Sequence, residues 1–158
     1  MADDVRLAVD RLDSPEGASL VAAHLAEMQR RYGAEDEWDG LVPDQLAPPH
    51  GTFLVAWAND QPVGCGGLRR IDDTTGEIKR MYVADSARRR GIARAVLVEL
   101  EKIACDLGYE RLILETGTLQ PEAIGLYESH GYEQIEPYGI YQDSEMSRCF
   151  AKSLSESA

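Results

Sequence analysis

Apolar residues in this chain fall into short blocks whose period changes along its length. DVRLAV alternates as a half-buried strand does, and SPEGASLVAAHLAEMQRRYG then changes to helical spacing. Ser14 stands where an N-cap belongs, Pro15 at the first helical position and Gly33 at the terminator, with Leu20, His24, Leu25 and Met28 near one face. The next stretch, AEDEWDGLVPDQLAPPHG, is acidic, rich in Pro and Gly and without period. It predicts a mobile loop with one short helical turn. TFLVAWAND and QPVGCGGLRRID predict antiparallel strands about an Asn59-Asp60 turn, and GEIKRMYV a third after the DDTTG turn.

From Gly91 the spacing is helical again. Ile92, Val96, Leu100, Ile103 and Leu107 make one apolar stripe, closed by Gly108. RLILET reads as a short buried strand, PEAIGLYESH as a helix opened by Pro121 and ended by Gly131, and YEQIEPY and EMSRCFAKSL as the last strands. The order β-α-β-β-β-α-β-α-β-β is an α/β protein with a mixed sheet. Its strand-helix-strand centre requires parallel pairing, with a helix covering each crossover. The order of strands within the sheet does not follow from the pattern. A length of 158 residues suits one domain spanning 1–158, with SLSESA (153–158) as a flexible tail.

Composition narrows the function classes. With 44% apolar and 28% charged residues the chain reads as an ordinary soluble globular protein, and no stretch approaches the roughly 20 apolar residues of a membrane span. MADDVRLAVD has acids where a secretory signal needs basic and then apolar residues, so the expected location is the cytoplasm, with no membrane partner. Cys65, Cys105 and Cys149 form no CxxC and read as reduced thiols. No His, Asp, Glu or Cys set has metal-ligand spacing, and no metal is expected. A pI near 4.6 argues against nucleic acid as a partner.

Against that acidic background, KRMYVADSARRRGIAR (79–94) holds six of the sixteen Lys and Arg and one acid, Asp85. The window is +5, so the rest of the chain sums to −17 (−12 minus +5). One compact cationic patch suggests one compact anionic ligand. A helix N-terminus offers unpaired N–H groups and a partial positive charge. Gly91 leaves the backbone open to an anion, Ala93 is nearly as small, and Arg88, Arg89, Arg90 and Arg94 can add charged hydrogen bonds. No GxxxxGK[ST] is present, and Gly64-Cys65-Gly66-Gly67 lacks a third spaced glycine and opens no helix, which excludes Walker and Rossmann readings. Taken alone, the arginines read equally well as a solvated turn.

Arg88-Arg89-Arg90-Gly91-Ile92-Ala93 resembles the (Q/R)xxGx(G/A) acetyl-CoA signature of the GCN5-related N-acetyltransferase (GNAT) superfamily, and it follows a strand, EIKRMYV, of familiar wording. QPEAIGLYESHGYEQI is similar to that family's late motif, N-x-x-A-x-x-L-Y-x-x-x-G-(F/Y), with Gln120 in place of the usual Asn. The resemblance spans residues 53–152. It implies a fold whose third and fifth strands splay apart to hold acetyl-CoA, direct acetyl transfer to an amine in a ternary complex, and, as in many relatives, a homodimer. Cofactor contacts implied are Met81, Tyr82 and Val83, the segment Arg88 to Arg94 including Ile92, and Gln120 toward the pantetheine arm.

A protonated alkylamine must lose a proton before it attacks. The resemblance places an oxyanion-binding backbone N–H around Met81 and an acid at Tyr127, the tyrosine of the LY pair, whose helical spacing with Ala123, Leu126 and His130 equally suits plain core. Glu77 is the favoured base. Glu115 is the alternative, or else a site for the substrate cation. Trp38, Tyr138 and Tyr141, with the acids Glu35, Asp36, Glu37 and Asp39, suit a cationic acceptor with an alkyl part. His24 reads as a satisfied or half-buried histidine, His50 as a loop residue, His130 as the residue before a helix-ending glycine, and Cys149 as a small hydrophobe with no acyl-enzyme role. The acceptor expected is a small amine-bearing metabolite. Alternatives are a protein or peptide amine, or a non-catalytic CoA-binding module.

Overall fold

A computed structural model describes residues 5–33 and 41–154. Its elements are β1 (Val5–Asp10), α1 (Pro15–Tyr32), β2 (Thr52–Ala58), β3 (Gln61–Arg70), β4 (Thr75–Val83), α2 (Ile92–Asp106), β5 (Arg111–Gly117), α3 (Pro121–Ser129), β6 (Glu133–Ile135) and β7 (Ser147–Ser153). The expected order is the observed one. All seven strands form one mixed sheet in the order β1-β2-β3-β4-β5-β7-β6, in which only the β4–β5 pair is parallel.

Local chemistry explains the boundaries. Ser14 Oγ accepts the Gly17 N–H at 2.9 Å, Pro15 begins the first turn of α1, and Gly33 ends it at φ 71°. Asn59 and Asp60, both at positive φ, make the tight turn between β2 and β3. Both faces of the sheet are covered, so β2 reads as an unbroken apolar run. Leu54 joins Leu68, Ile78, Leu112, Leu114 and Phe150 under α2. Phe53 and Val55 face the other way, against Leu20 of α1 and Leu46.

The feature that positions the site is where the sheet comes apart. β4 and β5 pair from Thr75↔Arg111 to Ile78↔Leu114 and no further. Beyond that point β4 keeps its ladder with β3 only, and β5 with β7 only. In this stretch the β3–β4 ladder carries a bulge: Cys65 opposes Tyr82 and Gly67 opposes Lys79, so Arg80 and Met81 together face Gly66. Arg80 takes φ 61°, a conformation most residues avoid. Gly66 is required there, because a Cβ would stand 2.6 Å from Met81 Sδ and 2.8 Å from Val96 Cγ1.

Several expectations are corrected. In chain order the strands that part are β4, the GEIKRMYV strand, and β5. The strand expected over YEQIEPY is three residues long, and Leu25 and Leu107 are exposed rather than part of the buried stripes. In the described part of the expected loop, Pro43–Leu46 form the expected short helical turn, a 3-10 one, and it buries Leu46 completely. Ser153 belongs to β7, and the Leu154 N–H donates to Glu110 O at 2.8 Å, so these two residues are held to the fold rather than part of a flexible tail. Trp38, with Glu35, Asp36, Glu37 and Asp39, lies outside the described residues.

Candidate active site

A cavity of about 1400 Å³ occupies the V between β4 and β5. At one end is the start of α2. Gly91, at φ 77°, is the N-cap and supplies no side chain to the first turn, leaving the leading amides of the helix uncapped. Nothing lies within 4 Å of where a Gly91 Cβ would be, so the approach to those amides is open. Arg89 (φ 66°), Ala93 and Arg94 line the same end with Gly91 and Ile92, whereas Arg90 is exposed and forms no part of the cavity wall. This arrangement fits a pyrophosphate.

Arg88 lines the cavity too, but it is also built into the protein. Its Nε donates to Val83 O at 2.9 Å and its Nη2 to Glu27 Oε1 at 2.5 Å. Glu27 Oε2 takes Arg31 at 2.9 Å, and Arg31 in turn reaches Glu122 Oε1 at 2.6 Å and Leu119 O at 2.8 Å. Beside it, the Tyr32 hydroxyl accepts from Leu119 N–H at 3.2 Å and Gln120 Nε2 at 3.3 Å. The last two turns of α1 therefore bridge the cofactor loop to the head of α3. Sequence reasoning passed over Glu27, Arg31 and Tyr32; the Glu27–Arg31 spacing of four on one helix is the signal that was there.

Along β4, Met81, Tyr82 and Val83 line the wall next to the bulge. Cys65 Sγ donates to Arg80 O at 3.3 Å, and burial pushes that thiol up to about 12, which keeps it a donor. His24 of α1 stacks on Tyr82 with ring centroids 5.5 Å apart. The histidine is half-buried, one of the two readings expected of it, and its buried Nδ1 has no hydrogen-bond partner among the described residues. Burial, then the charge of Arg80, lower its pKa to about 4, with Arg88 and Arg31 adding to the effect and Glu27 opposing it.

Where the strands part, Glu115 of β5 and Lys79 of β4 line the cavity together with Tyr141, Gln120 and Tyr127. Lys79 Nζ donates to Tyr141 Oη at 3.0 Å and is only 7% exposed. Tyr127 is buried between the core and the cavity; burial raises its pKa, and the charge of Glu115 raises it further, so the phenol stays protonated at neutral pH. Glu77 is placed differently from the base expected of it. It is 1% exposed, lies outside the cavity wall, and has both oxygens engaged: Oε1 by Arg69 Nε at 2.7 Å and Oε2 by the Tyr138 hydroxyl at 2.7 Å. Tyr138 is likewise behind the wall, its pKa raised by burial and by Glu77.

Known proteins share this sequence and fold. The sequence profile described as the acetyltransferase (GNAT) family matches residues 18–132. The chain belongs to the GNAT family. The uncharacterized N-acetyltransferase YsnE of Bacillus subtilis (strain 168) is 36% identical over 152 residues, covering 95% of this chain and 100% of YsnE. The IAA acetyltransferase of Azospirillum brasilense is 37% identical over 110 residues, 69% of this chain and 72% of that protein. Among solved structures, a provisionally assigned acyl-CoA N-acyltransferase from Klebsiella pneumoniae superposes with TM-score 0.83 at 27% identity, covering 96% of this chain and 99% of that one. A GNAT acetyltransferase of Elizabethkingia anophelis, solved with acetyl-CoA bound, shares the fold at TM-score 0.72 and 19% identity, over 96% and 99% of the two chains. The GNAT chain is thus an acetyl-CoA-dependent N-acetyltransferase. Among its described residues no helix is long and apolar enough to cross a membrane.

Proposed function

We propose that this enzyme acetylates the primary amine of a small molecule, with both substrates bound together in the V between β4 and β5. The observation that carries the reading is the continuity of one cavity from the uncapped start of α2, past the β4 bulge, to Glu115, Tyr127 and Tyr141. The pyrophosphate of acetyl-CoA is held by the α2 amides with Arg89 and Arg94, and the backbone of Met81 to Val83 flanks the pantetheine arm, with Gln120 across from it. When bound, the thioester supplies an activated acetyl carbon.

This chain's residues then manage protons and charge. Glu115, half-buried on the cavity wall, receives the proton the amine sheds, directly or through a water. It replaces Glu77 in that role because Glu77 is buried, lies outside the cavity wall and is held by Arg69 and Tyr138. The bulge at Arg80 and Met81 interrupts the ladder beside the cavity, and the Met81 backbone N–H is the donor assigned to the negative charge growing on the carbonyl oxygen. The nitrogen–carbon bond forms as the carbon–sulfur bond breaks, the Tyr127 O–H protonates the departing sulfur, and the second proton lost by the nitrogen restores Tyr127 through solvent. The bridge from α1 to the head of α3 lies along one wall of the cavity, and a small acceptor fits beside it.

Release of CoA thiol, measured with a mixed panel of small amines and N-terminal peptides, tests this reading. Turnover of one or more small amines, lost in Glu115→Gln, is expected. Turnover confined to peptides would move the acceptor to the protein class, and CoA binding without turnover of any amine would make the chain a binding module.

A further inference from the structure

The row of side chains that runs from the cofactor loop to α3 alternates in charge: Arg88, Glu27, Arg31, Glu122, with links of 2.5, 2.9 and 2.6 Å. Both arginines are thus paired within the row, and the row as a whole is neutral. Each arginine is also fixed to backbone. Arg88 Nε donates to the carbonyl of Val83, the last residue of β4, and Arg31 Nη1 to that of Leu119, two residues past the end of β5. Glu27 stands at the middle, 13% exposed, with one oxygen turned to each arginine. At that depth its pairs are screened less than surface pairs are.

The row crosses the part of the V where the two strands have no ladder between them. Pairing of β4 with β5 ends at Ile78↔Leu114, the apex of the V. Further out, β4 leads into the cofactor loop and β5 into α3, on which Tyr127 sits. The end of α1 is seated on the β5 side as well. A Cβ on Gly117, the last residue of β5, would fall on the Tyr32 hydroxyl, so glycine is needed there for that hydroxyl to reach Leu119 N–H and Gln120 Nε2. Glu27, Arg31, Tyr32, Arg88, Gly117 and Glu122 all line the cavity.

Acetyl transfer sets a requirement on the separation of the two sides. The cofactor is held at the cradle that follows β4, whereas the acid that meets its sulfur follows β5. A proton passes from Tyr127 to sulfur only at hydrogen-bond distance, and a displacement of about 1 Å can cost about 10²-fold in rate.

We infer that Glu27 is a positioning residue: by holding Arg88 with one oxygen and Arg31 with the other, it fixes the distance from the cofactor cradle to Tyr127. The inference rests on the acid role given to Tyr127 above and adds the residue that places it. Glu27→Gln keeps the length of the side chain but offers a single accepting oxygen, so it can hold one arginine and not both. It also relieves Arg88 of a competing carboxylate, to the benefit of an anion in the cradle. Rate and affinity therefore move in different directions, which a loss of mere structural support would not produce.

The test is a double-mutant cycle in the full chain, with saturating acetyl-CoA and whichever amine of the panel above the wild type turns over fastest. Glu27→Gln is expected to lower kcat roughly 10- to 100-fold, while CoA affinity by calorimetry is unchanged or tighter. In the Tyr127→Phe background the same substitution should cost less than about 2-fold, because the group it misplaces is already gone. Glu122→Gln breaks the row at its exposed end, away from the cradle, and should show the same non-additivity should Glu27→Gln fail to fold. Equal proportional losses of kcat in the two backgrounds, or CoA affinity falling in step with kcat, overturn this inference and leave the acid role standing. An undiminished kcat in Tyr127→Phe alone overturns the acid role and the inference together, as does turnover of no amine.

Discussion

Glu77 ties two strands and a loop together: its Oε1 holds Arg69 of β3 and its Oε2 the hydroxyl of Tyr138, on the connection between β6 and β7. Tyr138 in turn packs edge-on against Tyr141, ring centroids 5.7 Å apart, and Tyr141 takes Lys79. The carboxylate thus supports the acceptor end of the cavity from behind. Removing one member of a buried pair strands the other charge, so Glu77→Ala should destabilise the fold by about 3–5 kcal/mol in denaturant titrations. In pH–rate profiles, Glu115→Gln should abolish the acidic limb and Glu77→Gln should retain it. The reverse result would restore Glu77 as the base.

Tyr127 carries the second expectation. Tyr127→Phe removes one hydroxyl without changing the packing against Tyr132 and Phe150. kcat should fall by roughly 10²- to 10⁴-fold, the usual worth of a positioned acid, while CoA affinity by calorimetry and the melting temperature stay near wild type. A parallel fall in all three quantities would make Tyr127 a core residue and nothing more.

Gly91 and the arginines around it separate by variant. At φ 77° any side chain costs about 1–2 kcal/mol of backbone strain, and a branched one also covers the open amides. Gly91→Val should therefore weaken CoA binding by more than Arg89→Ala or Arg94→Ala, which remove single members of a shared cluster. Arg88→Ala should differ from both: it leaves Glu27 without its 2.5 Å partner, so thermal stability falls along with affinity. Equal, small effects of all four on CoA titrations would dissolve the proposed cradle.

His24 gives a pH signature. Its pKa is about 4 in the folded protein against 6.5 ordinarily, so between those values the unfolded chain binds the extra proton. Stability must then rise with pH from about 4 to 6.5 and be flat, as far as this group is concerned, above and below. The slope is worth at most about 1.4 kcal/mol per pH unit. Histidine-to-leucine substitution (His24→Leu) should flatten melting temperature against pH in that window. An unchanged slope would mean that His24 protonates freely in the fold.

Much of this was legible from periodicity and punctuation. Ser14, Pro15 and Gly33 bounded α1, Asn59-Asp60 made its turn, and Gly91 opened α2, because caps and turns are local interactions between residues a few positions apart. The cofactor end of the site was legible for the same reason, being one loop and one helix start. The chemistry at the apex was not. Glu77 and Glu115 look alike in sequence, each an acid on a buried strand. Which one meets the cavity depends on Arg69 in β3 and Tyr138 beyond β6, partners 8 and 61 residues from Glu77. That His24 is half-buried was legible from its place on α1, but the lack of a partner for its Nδ1 among the described residues is a property of the assembled wall.

The short run of parallel pairing between β4 and β5 has a mechanical consequence. Four residue pairs are the whole seam joining a β1–β4 panel to a β5–β7 panel. Just past the seam, backbone that would ordinarily be locked in a ladder has only one neighbouring strand. A ligand lying between the panels acts there as a missing strand, a splint across a half-opened hinge. Amide exchange at Lys79 to Val83 and Glu115 to Gly117 should then slow on CoA binding by more than exchange at the seam itself, and the enzyme is stiffest when loaded.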